Sequence, residues 1–247
     1  RRYSGKNWEQ ISCIKNSNKY GSGDIGFEWI LSKHFNLAGH YSILSFSPNR
    51  EIREKVNAIE NTNNSTYSFL STDNIARKML RHNGALFLIK NWDDNKSAAF
   101  DINYIHLNMG EDEQYQATGD NHFRYNNKFD RTTHLLITKF DVEIPTKKFK
   151  IDFGSSYQYT LTKNDASYLD NPALPDQYDK FRYREQIVAA YADFMFRPFP
   201  KTISKIGLRS EVTFMNGNQI NNDEKTARKL LHFFPTFFFN YNPHKNH

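Results

Sequence analysis

Residues 149–161 read FKIDFGSSYQYTL, a long alternation that constrains the fold more than any other stretch of the chain. Phe149, Ile151, Phe153, Tyr157, Tyr159 and Leu161 share one side of an extended backbone, and Lys150, Asp152, Gly154, Ser156, Gln158 and Thr160 share the other. A strand of this length, with aromatics near both ends of its apolar side, suits a wall that has lipid outside and water inside. The rival is a soluble two-sheet sandwich. Sandwich strands also alternate, but they run nearer about five or six residues, and their apolar side needs a second sheet to cover it.

Composition bears on that choice. The chain carries 21 Phe and 14 Tyr yet has a mean hydropathy of -0.77, so it is aromatic-rich and hydrophilic at once. A membrane barrel produces this combination because half of each strand and all of its loops are wet. No stretch approaches the roughly 18 consecutive apolar residues of a spanning helix, and the strongest apolar run, 230–239, is broken by His232, Pro235 and Thr236. The net charge of +6 and a pI near 9.2 do not indicate nucleic-acid binding, because the basic residues are scattered among 27 acidic ones rather than gathered on an arm or stripe. Cys13 is the single cysteine, which excludes an internal disulfide and a cysteine zinc cage but leaves the compartment open. The chain begins on Arg1 and Arg2 without a leader and ends in a polar turn, so a fragment is expected.

Period-two segments fall at 25–32, 37–47, 83–92, 97–107, 131–143, 149–161, 181–197, 203–215 and 229–241, with a weaker one near 8–14. The connections alternate in length. Short ones cover 33–36, 93–96, 145–148, 198–202 and the terminal 242–247; long ones cover 48–82, 108–130, 162–180 and 216–228. Short periplasmic turns and long extracellular loops are the pattern of outer-membrane barrels, with 149–161 running toward the cell exterior and 181–197 returning. Residues 50–66 are expected to form a short surface helix. The expectation is one incomplete domain over 1–247, all-β, an antiparallel up-and-down transmembrane β-barrel of which about ten strands are present.

The side opposite the apolar one carries recurring charges: Arg131, Lys139, Asp141, Lys150, Asp152, Asp193, Lys205, Arg209 and Glu211. In a barrel these face the lumen. Any one of them is accounted for as part of a wet wall whose charges neutralise one another, since exposed pairs contribute only about 0–1 kcal/mol each; the set as a whole argues for a polar interior. His244 and His247 have a ligand-pair spacing, and Glu111, Asp112, Glu113 and Asp120 form an acidic loop cluster, but neither completes a metal site by pattern. Asp101 and Glu143 are a carboxylate pair that any fold might assemble. Hydrolase, metalloprotease, P-loop and dinucleotide motifs are missing from the sequence, so no catalytic or metal-ligating residue and no cofactor is assigned.

Three C-terminal runs are specific enough to carry a resemblance. FRYREQIVAAYADF (181–194) holds Tyr183, Glu185, Ile187, Ala189, Ala190 and Tyr191; KIGLRSEVTF (205–214) holds Gly207, Leu208, Arg209 and Glu211; LLHFFPTFFFNYNPHKNH (230–247) holds Phe234, Pro235, Tyr241 and Pro243. In these positions the chain resembles the barrel of TonB-dependent receptors of the Bacteroidetes outer-membrane β-barrel family, with GDIGFEWILSKHFNLAGHYS as a looser match to an early hairpin. The resemblance implies an energy-coupled receptor of a Gram-negative outer membrane that imports an unidentified solute. It further implies outer-membrane lipid and the TonB system as partners, a surface lipoprotein as a candidate partner, and a plug domain and final strands outside this sequence; the scattered charge argues against nucleic acid as a partner. A scaffold barrel, an outer-membrane enzyme and a soluble binding sandwich are the competing readings. Within the apolar strands, Val188, Ala190, Ala192, Phe194 and Phe196 should face lipid, as should Ile206, Leu208, Val212 and Phe214; Gly207 should leave room on the inner side, and Pro235 should mark a bulge or kink.

Overall fold

The structure is a computed structural model that describes residues 6–60, 65–120, 122–171 and 175–242. Its strands are β1 (Lys6–Ser32), β2 (Phe35–Glu60), β3 (Ser65–Asn91), β4 (Ser97–Gly119), β5 (Phe123–Pro145), β6 (Phe149–Leu169), β7 (Gln177–Phe196), β8 (Thr202–Gln219) and β9 (Glu224–Tyr241). They form one antiparallel sheet in chain order, each strand paired with its sequence neighbours. The fold is therefore the all-β, up-and-down arrangement expected of a membrane-barrel wall.

Pairing register carries the alternation of each strand across the whole sheet. From Phe27, one face runs through Gly39, Leu86, Ile102, Thr138 and Tyr157 to Val188, Val212 and Leu231, because paired residues in an antiparallel ladder point the same way. Among the described residues a single register irregularity, between Ile30 and Ser32, interrupts the ladders. Only Ala117 and Ala189 are buried apolar side chains among the described residues, whereas Phe153 is 39% exposed, Phe194 41% and Phe237 72%. A one-layer sheet has no interior of its own. Among the described residues no second sheet covers the apolar face, so they do not form a two-sheet sandwich.

Three expectations change. The segment near 8–14 is the far half of the 27-residue β1 rather than a separate strand, so the described sheet has nine strands. The helix expected at 50–66 is strand throughout its described part: Ile52 lies opposite Ile14 and Asp73, and neighbours on both sides satisfy the backbone ladder. Glu51, Arg53 and Lys55 alternate with Ile52, Glu54 and Val56, and the Arg53 guanidinium reaches Glu51 at 2.5 Å along the same side. Local helical character yielded to that pairing. Pro235 sits opposite Leu208 with the register unbroken on either side, so it makes no bulge. β9 has a neighbour on one flank only, and an edge strand tolerates a proline where the missing donor points away from the partner.

The long connections are also strands for most of their length. The apolar band of β2 ends near Ile43, but the strand continues to Glu60; β3 starts at Ser65 although its apolar band begins near Leu80. One rim carries the short links 33–34, 92–96, 146–148 and 197–201, and the other carries these tall extensions capped by turns such as 220–223. The asymmetry expected between loops is present as an asymmetry in strand height.

Candidate functional site

All nine sequence-selected charges lie on the face opposite the apolar band. Arg131, Lys139 and Asp141 share one side of β5; Lys150 and Asp152 stand on β6; Asp193 stands on β7; Lys205, Arg209 and Glu211 stand on β8.

 Register then brings most of them together. Asp141, Gly154, Tyr191 and Arg209 form one rung across β5 to β8, and Lys139, Ser156, Ala189 and Glu211 form the next.

Glycine makes the first rung possible. A Cβ at Gly154 would lie 2.5 Å from the Phe140 carbonyl oxygen and 2.7 Å from both the Tyr191 hydroxyl and an Asp141 carboxylate oxygen. The bare backbone of β6 thus lets Tyr191 cross it and donate its hydroxyl hydrogen to Asp141 on the strand beyond. Gly207 acts in the same way toward Asp193, whose carboxylate occupies the space a side chain there would need. Lys205 holds that carboxylate from the other side at 2.9 Å.

The remaining contacts are short-range. Lys150 bridges Glu143 at 2.9 Å and Asp152 at 3.1 Å. Arg209 donates to Glu211 at 2.5 Å and to the Ser156 hydroxyl at 3.5 Å. Asp152, Asp193 and Glu211 are only 20–22% exposed, so these carboxylates are held against the wall rather than left free. Arg131 stands apart: ten positions from Asp141 along β5, it donates to Asn164 at 2.9 Å and lies over the Phe129 ring. The result is a patch of alternating charge on β5 to β8, anchored by side chains that reach across one or two strands.

Sequence reasoning missed the two groups that tie the patch together, Tyr191 as a donor and Gly154 as its passage. Asp141 and Tyr191 are 50 residues apart, and only the register reveals that they meet. The available signal was that Tyr191 shares the side of β7 with Asp193. Other candidates are dispersed. Asp101 lies opposite Lys139, whereas Glu143 lies opposite Ser97 and turns to Lys150, so the two carboxylates form no pair. Strand alternation places Asp112 on the face opposite Glu111 and Glu113, with Asp120 beyond the strand end; among the described residues no three His, Cys, Asp or Glu side chains are placed to hold a metal ion. His244 and His247 lie outside the described residues.

An unclosed sheet with one apolar and one charged face defines the wall of a membrane β-barrel. The chain belongs to the outer membrane protein β-barrel family, whose sequence profile matches residues 90–247. That membership places it in the outer membrane of Gram-negative bacteria. In structure it is similar to the copper transporter OprC, with a TM-score of 0.53 and 11% identity over 99% of this chain and 44% of that one. It is similar also to the ferric citrate transporter FecA in its unliganded form, with a TM-score of 0.51 and 12% identity over 98% of this chain and 42% of that one. The ferripyoverdine receptor of the Pseudomonas aeruginosa outer membrane gives a TM-score of 0.50 and 9% identity over 98% and 41% of the two chains. The chain therefore spans about two-fifths of the length of these structures. No curated protein matches it.

Proposed function

We propose that these residues form part of the barrel of a TonB-dependent receptor of the Bacteroidetes type, a non-enzymatic importer of a solute. The observation that carries this reading is the charged patch on β5 to β8, which lies on the face opposite the lipid-compatible band. In a closed barrel that face lines the lumen, so Arg131, Lys139, Asp141, Lys150, Asp152, Asp193, Lys205, Arg209 and Glu211 become lumen-facing groups. Their pairing suits the bed of a removable plug, because the wall neutralises its own charges and needs no counter-charge from the plug. The motifs of β7 to β9 and the likeness of the fold to named transporters and a receptor support the assignment. The tall strand extensions form the extracellular rim and the short links the periplasmic one.

Completion of the barrel follows from the same chemistry. β1 and β9 each pair on one side only, and unpaired backbone groups are not tolerated in lipid. Strands of the parent protein outside 1–247 supply the missing partners, and a plug domain belongs to the same parent.

The coding region of the parent protein and its genetics test the reading together. The expected result is a plug domain with a TonB-contacting segment in the same chain, and growth on a limiting solute that falls alike when this gene or the TonB gene is deleted. A parent without a plug, or growth that neither deletion changes, would favour a barrel that scaffolds a surface complex with a lipoprotein.

A further inference from the structure

Toward the extended rim the apolar face ends in a row of imidazoles. On the mid-membrane side of that row the face is lipid-compatible, with a depression of about 510 Å³ beside Gly84 that has Phe27, Leu86 and Ile102 among its walls. On the rim side come Asn108 and Thr132, with Lys163 opposite Thr132. Between the two, His82, His106 and His134 form one rung across β3 to β5. The rung thus stands where the apolar band gives way to polar residues, and the rings of His106 and His134 are half-buried.

The three histidines are not equivalent. His82 stands off, its ring 6.1 Å from that of His106 and its Nδ1 held by the Tyr41 hydroxyl at 2.6 Å. His106 and His134 lie directly opposite each other, with Nδ1 facing Nδ1 at 3.4 Å. That separation is long for a hydrogen bond, which closes to about 2.9–3.0 Å. The surrounding bonds leave the pair in conflict. Thr132 donates to Asn108 Oδ1 at 3.0 Å, which leaves the Asn108 amide nitrogen to donate to His106 Nε2 at 2.9 Å. A neutral His106 that accepts at Nε2 carries its proton on Nδ1, aimed at His134. The Tyr104 hydroxyl meets the same His134 Nδ1 at 2.7 Å. If that nitrogen is bare, two donors compete for one lone pair; if it is protonated, two N–H groups confront each other. Neither state satisfies both rings.

We propose that His106 and His134 bind one Zn²⁺ ion through their Nδ1 atoms. Two imidazole nitrogens at about 2.0–2.1 Å from one tetrahedral ion stand about 3.3–3.4 Å apart, which is the separation found, whereas a square-planar ion would draw them to about 2.9 Å. Binding removes the conflict. The His106 proton passes from Nδ1 to Nε2, the Asn108 amide turns so that Oδ1 accepts it and Nδ2 donates to the Thr132 hydroxyl, and Tyr104 releases His134 Nδ1. No proton leaves when both rings start neutral. Asn108 becomes the outer partner that fixes the His106 tautomer and ring orientation. Water fills the remaining positions of the ion, which ties β4 to β5 at the edge of the apolar band. The inference needs only the register of this sheet and stands apart from the transport reading.

The untagged full-length protein, stripped with chelator and held in detergent micelles, is titrated with Zn²⁺ by calorimetry and with Co²⁺ by visible absorption; His244→Gln and His247→Gln form the background. The expected result is a Zn²⁺ site in the background protein whose affinity falls at least about tenfold in His106→Gln and in His134→Gln and stays within about twofold in His82→Gln, with Co²⁺ giving the intense visible band of tetrahedral coordination. Asn108→Asp, which keeps an acceptor for His106, should hold the affinity, and Asn108→Leu should lower it by about tenfold. Zinc binding that is absent from the background protein, or equal in it and in the His106 and His134 variants, would overturn the site. So would a loss in His82→Gln as large as in the other two, or the weak absorption of octahedral Co²⁺. Equal affinity in the two Asn108 variants would overturn the tautomer assignment on which the site is built. Melting of each metal-free variant at the temperature of the background protein shows that the change lies in the site and not in the fold.

Discussion

At the scale of single residues, Gly154 is the most exacting position on the charged face. Gly154→Val should destabilise the full-length barrel by about 1–3 kcal/mol, because the new side chain meets the Phe140 carbonyl and displaces the Tyr191 hydroxyl. Tyr191→Phe should cost about 1–3 kcal/mol by leaving a half-buried Asp141 acceptor without its donor. Both act through one contact, so the double variant should fall short of the sum of the two, as read from urea unfolding in detergent micelles. Full additivity would show that Gly154 does not serve the Tyr191 contact. The nine charges were legible in the sequence because alternation alone puts a residue on one side or the other. The contact between Asp141 and Tyr191 was not, because it depends on how far each strand slides against the next, and no local feature of either segment encodes that.

At the scale of the element, the extensions of β2 and β3 carry a direct prediction. Backbone amides of residues 49–56 should exchange with deuterium at least about tenfold more slowly than those of an unpaired loop, since β1 and β3 bond them on both sides. Exchange at loop rates in the full-length protein would contradict the strand assignment. The lower, apolar halves of the strands were legible because lipid imposes a strict period of two. The upper halves face water on both sides, so their alternation is weak, and 50–60 reads as locally helical until its partners are known. Pro235 teaches a related point. Pro235→Leu should change the stability of the full-length barrel by no more than about 1 kcal/mol, the net worth of one ladder hydrogen bond, because the register on either side is unbroken; a gain well above that, measured by the same unfolding assay, would mean that it strains β9.

At the scale of the whole molecule, the nine strands make a wall and not a vessel. Residues 1–247 expressed alone and added to planar bilayers should give no steady unitary conductance, since β1 and β9 do not pair with each other and their edges cannot remain bare in lipid. Discrete, stable channels from that polypeptide would show that it closes on itself. The resemblance of β7 to β9 pointed to the family from the sequence, and the profile match over 90–247 covers those strands. What the sequence did not disclose is how the apolar face is shaped, because the depression beside Gly84 is walled by residues of four strands, β1 to β4.

The central claim is that one face of this sheet meets lipid and the other meets water, and single-cysteine labelling tests it most directly. In the full-length protein, with Cys13→Ser as background, Ser156→Cys and Thr213→Cys place thiols on the charged face, and Ser155→Cys and Ala190→Cys place them on the apolar face. In intact outer membranes with the plug removed, a charged, water-soluble thiol reagent should label the first pair and leave the second to a lipid-soluble one. Labelling of Ser155→Cys and Ala190→Cys by the charged reagent as readily as the other two would contradict the account.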